Sequence, residues 1–301
     1  MRTIELGAIT VHRATELARW AFAPQDLFPG ITPEQVADAG RRFGDRCVEP
    51  GTGRLILSIH SYVVRAPGLT LLVDPGNGND KERPALLAHH RFHTDHLDRL
   101  GADPGEIDIV VSTHLHPDHC GWNTRLADGQ WSPTFPRARY LFDRTEFETL
   151  AKLWESAPAD PVAADVARMY EDSVLPVTQS GQAELVEPPH VVYQRGQERI
   201  TLRQAPGHTA GHLVVEVTSG DRSAVIIGDV VHHPLQFAHP ELAQLGDQDP
   251  ERARSLRARL WSEFADRDVI VLPAHFPEPT AGRIVSGPDG FRYAWLDGGA
   301  G

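Results

Sequence analysis

The sequence predicts an α/β protein in which helices cover a mixed β-sheet. Three short apolar runs rich in β-branched residues, Ile107–Val111, Ala224–Ile227 and Val269–Leu272, have the composition of strands buried on both faces. β-rich stretches joined by Pro/Gly turns add hairpins, and helical stretches alternate with them. No repeat, low-complexity segment or linker-like stretch divides the 301 residues, so a single domain over 1–301 is expected.

Residues 1–50 open on a short β-like stretch punctuated by Pro24, Pro29, Gly30 and Pro33. Pro33–Phe43 reads as a helix, with Thr32 as N-cap, Pro33 in the first helical position and Glu34 in the first turn. Leu17, Trp20, Phe22, Leu27 and Phe28 are too apolar for a free tail, so this segment is expected to pack on the domain or on a dimer partner. Arg54–Arg65 and Leu69–Val73 form a hairpin across Ala66-Pro67-Gly68, which runs into the loop Asp74–Asp80. Pro84–Leu100 reads as a helix broken near Thr94. Arg139–Phe142 reads as a strand, and Thr145–Trp154 and Pro161–Tyr170 as helices. Strands follow at Ile200–Gln204 and Leu213–Thr218, then a helix at Asp249–Ala265 and a closing hairpin over Arg283–Trp295, turning at Gly287-Pro288-Asp289-Gly290.

Composition excludes several classes. The net charge of −12, from 29 Lys+Arg and 41 Asp+Glu, argues against a protein that grips a phosphate backbone. Cys47 and Cys120 make no disulfide framework and sit in no CxxC zinc spacing. No apolar run reaches the roughly 18 residues that a membrane span needs. Glu5, His12 and Arg13 interrupt any signal-like stretch, so a cytoplasmic location is expected. Histidine is the oddity, with 16 copies.

The histidines gather where the apolar runs stop. Ile107–Val111 leads into Ser112-Thr113-His114-Leu115-His116-Pro117-Asp118-His119, Ala224–Ile227 into Gly228-Asp229, and Val269–Leu272 into Pro273-Ala274-His275. Pro206-Gly207-His208-Thr209-Ala210-Gly211-His212 follows a further strand signal. Ligand-type residues at the carboxyl ends of several strands converge on one rim of a sheet, where α/β sites lie. His114 and His116 are two apart and can grip one ion, whereas Asp118 and His119 follow the bend at Pro117 and face a second position. Imidazole and carboxylate suit zinc and related first-row ions.

The strings THLHPDH (113–119), PGHTAGH (206–212), GDVVHH (228–233) and PAHF (273–276) resemble the successive motifs of the metallo-β-lactamase superfamily. They are most similar to the branch of acyl-homoserine-lactone lactonases and methyl-parathion-type organophosphate hydrolases. The resemblance implies an αββα sandwich, two mixed β-sheets flanked by helices, around a dinuclear site. Carried over by position, His114, His116 and His208 would hold one ion. Asp118, His119 and His275 would hold the other, with Asp229 bridging and Asp74 supporting the site from behind. It implies two divalent ions, zinc first, with iron, manganese or cobalt able to use the same ligands. Lactonases usually place a Tyr three residues after the bridging Asp. Here His232 stands there, which is more like the organophosphate hydrolases. Cys120, beside His119, reads as a packed thiol.

The expected chemistry is hydrolysis: a hydroxide bridging the two ions attacks a carbonyl or phosphoryl centre. Asp118 shuttles a proton to the leaving group and His232 hydrogen-bonds the substrate oxygen. Phe92, Trp122, Trp131, Phe135, Leu235, Phe237 and Phe276 flank the motifs; singly each reads as core, and as a set they suit an apolar pocket, pointing to a hydrophobic ester, lactone or organophosphate ester. The alternatives are an iron-dependent oxidoreductase on the same fold, or a β-lactamase or thioesterase-type hydrolase. A small-molecule substrate and a homodimer are the expected partners, with no nucleic acid and no membrane. His89, His90, His93 and His96 have helical spacing and are expected on a helix surface or pocket rim. His212 and His233 neighbour ligand positions, and His60 lies in the hairpin.

Overall fold

Strands begin at the third residue and account for more of the chain's start than its composition suggests. The computed structural model describes residues 3–86, 93–288 and 290–296. Thr3–Leu6 (β1) pairs antiparallel with the long Ile9–Phe22 (β2). The sequence signal for β2 is blurred because His12, Arg13 and Glu16 interrupt its apolar residues, yet all three are buried. Pro24–Leu27 (α1) and Pro33–Phe43 (α2) follow, and α2 starts at the expected Thr32. There Thr32 and Gln35 cap each other reciprocally, which satisfies two backbone N–H groups at the helix start. The hairpin is Leu55–Ala66 (β3) and Leu69–Val73 (β4).

Of the helix expected over Pro84–Leu100 with a break near Thr94, the described residues show the single turn His96–Arg99 (α3) beyond that break; 87–92 lie outside the described residues. Thr94 is drawn out of the helical path by Asn79, whose side chain accepts its N–H and donates to its carbonyl. Ile109–Val111 (β5), Pro117–Cys120 (α4), the hairpin Thr124–Ala127 (β6) with Gln130–Pro133 (β7), and Arg139–Asp143 (β8) come next. Arg144–Glu155 (α5), Pro161–Met169 (α6) and Leu175–Gln179 (α7) precede Ala183–Val186 (β9). The rest comprises His190–Arg195 (β10), Glu198–Gln204 (β11), Leu213–Ser219 (β12), Arg222–Gly228 (β13) and Leu235–Ala238 (α8). Pro250–Phe264 (α9), Val269–Pro273 (β14), Gly282–Gly287 (β15) and Gly290–Trp295 (β16) complete it.

Fourteen of these strands form two mixed seven-stranded sheets, ordered β1-β2-β3-β4-β5-β8-β9 and β10-β11-β12-β13-β14-β15-β16, and β6 pairs with β7 alone. Contacts divide the chain into two units, Met1–Glu16 with His60–His190 and Leu17–Ile59 with Val191–Gly301. In the first unit, Leu150, Met169 and Val177 from the helical stretch pack against Val63, Leu72, Val110 and Phe142 of the sheet. In the second, α9 lays Leu256, Leu260, Trp261 and Phe264 on Val214, Val225 and Val271. Leu260 is fully buried, and truncating such a side chain to Ala costs about 2–5 kcal/mol. The apolar start of the chain packs on its own unit: Leu27, Phe28 and Ile31 join Leu55, Leu57, Leu235 and Leu242 in one cluster.

The expected aromatic rim is mostly core. Phe135 and Leu235 are wholly buried, Phe237 stacks on Trp261 at 4.3 Å, and Phe276 meets Tyr293 edge-on at 5.0 Å. Trp122 is buried, and Trp131 lies under the Lys81 ammonium at 3.5 Å. Phe92, His89, His90 and the turn residue Asp289 lie outside the described residues.

Candidate metal centre

In the first unit, parallel pairing decides which residues meet. β4 and β5 run side by side with Val73 opposite Val111, so Asp74 and the string beginning at Ser112 leave the sheet together. Asp74 accepts the Thr113 N–H at 2.7 Å, the Thr113 hydroxyl at 2.8 Å and the His119 Nδ1–H at 2.9 Å. The Thr113 hydroxyl has given its proton to Asp74, so its oxygen accepts from His114 Nδ1 at 3.1 Å. Both rings therefore carry their proton on Nδ1 and their basic lone pair on Nε2. Pro117 opens α4 and turns Asp118 and His119 back toward His114, whose ring centroid lies 4.1 Å from that of His119 and 4.5 Å from that of His116. Between the first two histidines, the Leu115 N–H is held by Glu146 at 3.1 Å. His114 and His119 are buried; Asp118 remains partly exposed.

The second unit repeats the logic with residues from separate loops. β13 and β14 are parallel, with Gly228 opposite Pro273, so Asp229 and His275 emerge from adjacent strand ends. His208 sits in the turn between β11 and β12, which the Ala205 N–H closes on the His212 carbonyl at 2.7 Å. His208 donates Nδ1–H to Asp247 at 2.9 Å, and His275 donates Nδ1–H to the Ser58 carbonyl at 3.0 Å. The Asp229 N–H donates to His212 Nε2 at 3.0 Å, which fixes the backbone under the carboxylate. Around that carboxylate, His232 Nε2 lies at 3.0 Å, His275 Nε2 at 3.1 Å and His208 Nε2 at 3.3 Å. All four side chains are buried.

Proton counting shows why this arrangement calls for a cation. The Nδ1 of His208 faces a carboxylate and that of His275 a carbonyl, so both must bear hydrogen. If neutral, these rings would then aim Nε2 lone pairs at the Asp229 carboxylate, a repulsive contact. Burial alone would push the His208 imidazole down, but its bonds to Asp229 and Asp247 outweigh that and raise it to about 9. Burial would likewise raise Asp247, yet the bond from His208 leads the contributions that hold it low. His232 goes the other way: its burial outweighs the pull of Asp229 and depresses it. A metal ion relieves the lone-pair conflict without protons. The donor types fit, and so does the spacing: with ligand bonds of about 2.0–2.1 Å, a tetrahedral site has ligand–ligand edges of ~3.3 Å.

Every position expected to bind metal is thus described, and each unit gathers its own share. Some supporting residues have no local signal in the sequence. Asp247, Glu146 and the Ser58 carbonyl act through pairings between distant segments, whereas Thr113 and His212 stand inside the motif strings themselves. His96 is a correction: it is fully buried, with Nε2 at 2.8 Å from the Ser61 hydroxyl, because the broken helix turns it inward. His93 is exposed. His60 pairs with the Tyr62 hydroxyl at 3.0 Å, and His233 spans the Cys47 carbonyl and the Leu235 N–H. Cys120 is the packed thiol expected, against Met169 Sδ and the His116 carbonyl.

Comparison with known proteins bears on this arrangement. The family model of the metallo-beta-lactamase superfamily matches residues 55–275. Among solved structures, a hydrolase of the beta-lactamase superfamily, AbOPH, is similar over 99% of this chain and 98% of its own, with 23% identity and a TM-score of 0.77. AidC, a dizinc quorum-quenching lactonase solved with the product N-hexanoyl-L-homoserine, covers 97% of this chain and 96% of its own at 19% identity and a TM-score of 0.74. A probable metal-dependent hydrolase from Staphylococcus aureus covers 99% and 100% at 15% identity and a TM-score of 0.72. Among the described residues, no helix is long and apolar enough to cross a membrane.

Proposed function

The chain belongs to the metallo-beta-lactamase superfamily, and from that premise we propose that it is a dinuclear metal-dependent hydrolase acting on a hydrophobic ester, lactone or organophosphate ester. In this reading His114, His116 and His208 would hold one ion and Asp118, His119 and His275 the other, with Asp229 shared. The observation that carries it is the shared tautomer: His114, His119, His208 and His275 each commit Nδ1–H to a protein oxygen and present Nε2. Two zinc-like ions would supply water activated at neutral pH and a Lewis acid for the scissile oxygen.

The chain's own residues do the rest. Asp74 and Asp247 orient His119 and His208 and make them stronger donors. Asp118 keeps contact with solvent and returns a proton to the leaving group. His232, 3.0 Å from Asp229 and buried, donates to the substrate oxygen where a lactonase would present a tyrosine. Support for a lactone comes from the likeness to AidC; support for an organophosphate ester comes from His232 itself. Phe135, Phe237 and Phe276 beside the motifs are packed in the core and lend none.

Metal analysis of the purified protein followed by a hydrolysis panel tests the proposal. Acyl-homoserine lactones, aryl esters, phosphotriesters, thioesters and β-lactams would be compared at equal enzyme. Two zinc-like ions with turnover of a lactone, aryl ester or phosphotriester is the expected result. A single iron, or two ions with turnover of none of these, overturns it.

A further inference from the structure

Glu16 lies within β2, and only 3% of it is exposed. A carboxylate taken out of water is costly unless donors surround it, and here there are four. One oxygen accepts the Asn77 N–H at 2.7 Å and the Asn77 side-chain amide at 3.1 Å. The other accepts the Trp122 indole N–H at 2.8 Å and the Thr94 hydroxyl at 3.3 Å. Since every partner donates, the position calls for a group that only accepts. An amide there would turn its own N–H groups against two of them.

Those partners bracket the candidate ligands. Asn77 belongs to the loop that starts at Asp74, and Trp122 follows α4, which carries Asp118 and His119. The two segments meet backbone to backbone. The Gly121 N–H donates to the Gly76 carbonyl at 2.7 Å, and a Cβ on Gly121 would fall 1.6 Å from the Asn77 oxygen. A Cβ on Gly76 would sit 2.5 Å from the Glu16 carboxylate. One buried carboxylate therefore ties together the segments whose spacing sets the 2.9 Å bond between Asp74 and His119.

We infer that Glu16 is a positioning residue for the first unit's ligands: by clamping Asn77 and Trp122 it holds His119 with Nδ1–H on Asp74 and Nε2 turned outward. The step from Nε2 to an ion rests on the metal reading above; the clamp does not. The test uses full-length wild type, Glu16→Gln and Trp122→Phe, the last removing one donor while keeping an aromatic ring. Long-range ¹H–¹⁵N spectra of the metal-free proteins report the His119 tautomer, and cobalt-loaded samples report the rate of metal loss to a chelator.

Wild type should show His119 as the Nδ1–H form alone. Glu16→Gln should show mixed tautomers and at least about tenfold faster cobalt release, with Trp122→Phe between the two. Glu16→Gln with the wild-type tautomer and release rate overturns the inference. Should Glu16→Gln fail to fold, an unaltered His119 tautomer in Trp122→Phe overturns it equally. A wild type that takes up no cobalt, but whose His119 tautomer responds to Glu16, supports the clamp and sinks the metal reading.

Discussion

In the first unit the candidate ligands occupy one string, 114–119, leaving a strand end and entering a single helical turn, with Asp74 behind them. In the second unit His208, Asp229 and His275 come from three loops, each with its own anchor: the Asp247 carboxylate, the His212 ring and the Ser58 carbonyl. The string is held by local chemistry, since Thr113 links Asp74 to His114 and Pro117 turns His119 back toward both. The dispersed set is held by strand register and by charge, with one buried carboxylate facing three imidazoles. Sequence neighbours can substitute for each other's support; distant ones cannot. The second set should be the more fragile, and the more sensitive to pH.

The severest test is Asp229→Asn, which removes the charge that three rings share. Metal content should fall to background and hydrolysis by more than about a hundredfold, the upper range even for supporting residues. Metal content by elemental analysis, measured beside the rate, checks this; full metal at full rate would break the scheme. Asp74→Asn and Asp247→Asn compare the two supports directly. Each should weaken metal binding by about 10–100-fold, judged by competition with a chelating dye. Asp247→Asn belongs at the upper end because His208 comes from a loop of its own, with no neighbouring ligand to share its support. Equal losses would erase the distinction between the sets.

The mildest effect is a pH slope. Because His208 is raised to about 9 in the metal-free protein, it carries a second proton at neutral pH that an ion must displace. Metal affinity should therefore rise about tenfold per pH unit up to about 9, and Asp247→Asn should flatten the slope. The same shift stabilises the metal-free fold. A folded value above the usual 6.5 gives stability that is complete below 6.5 and is lost as pH rises through about 9. A metal-free protein whose melting temperature is flat from pH 6 to 9 would remove His208 as the charged group.

How much of this the sequence disclosed follows from the same contrast. The strands at Ile109–Val111, Arg222–Gly228 and Val269–Pro273, and helices α2, α5 and α9, are legible because buried runs and caps are local patterns. Ligand candidates are legible because they sit in short strings at strand ends. β2 was hidden by buried polar residues that only tertiary partners explain, such as Glu16 with its four donors. The break near Thr94 is legible, but its cause is not: Asn79 captures the Thr94 backbone from a distant loop. Asp247 and Ser58 support ligands through pairings that no spacing rule encodes. Aromatic residues near motifs read as pocket walls, since sequence cannot tell a lining residue from a packed one.

The two thiols carry a consequence for metal choice. Cys47 and Cys120 are buried, and burial pushes Cys47 up to about 12 and Cys120 higher than its ordinary value as well. Cys120 is next to His119 in sequence, yet stays a neutral thiol packed on a methionine sulfur. The chain thus offers nitrogen and oxygen donors but no thiolate, so thiophilic ions such as cadmium or copper(I) gain no soft ligand by entering. Oxidants meet the same barrier: without thiolate character or exposure, neither sulfur is a ready point of attack beside the candidate ligands.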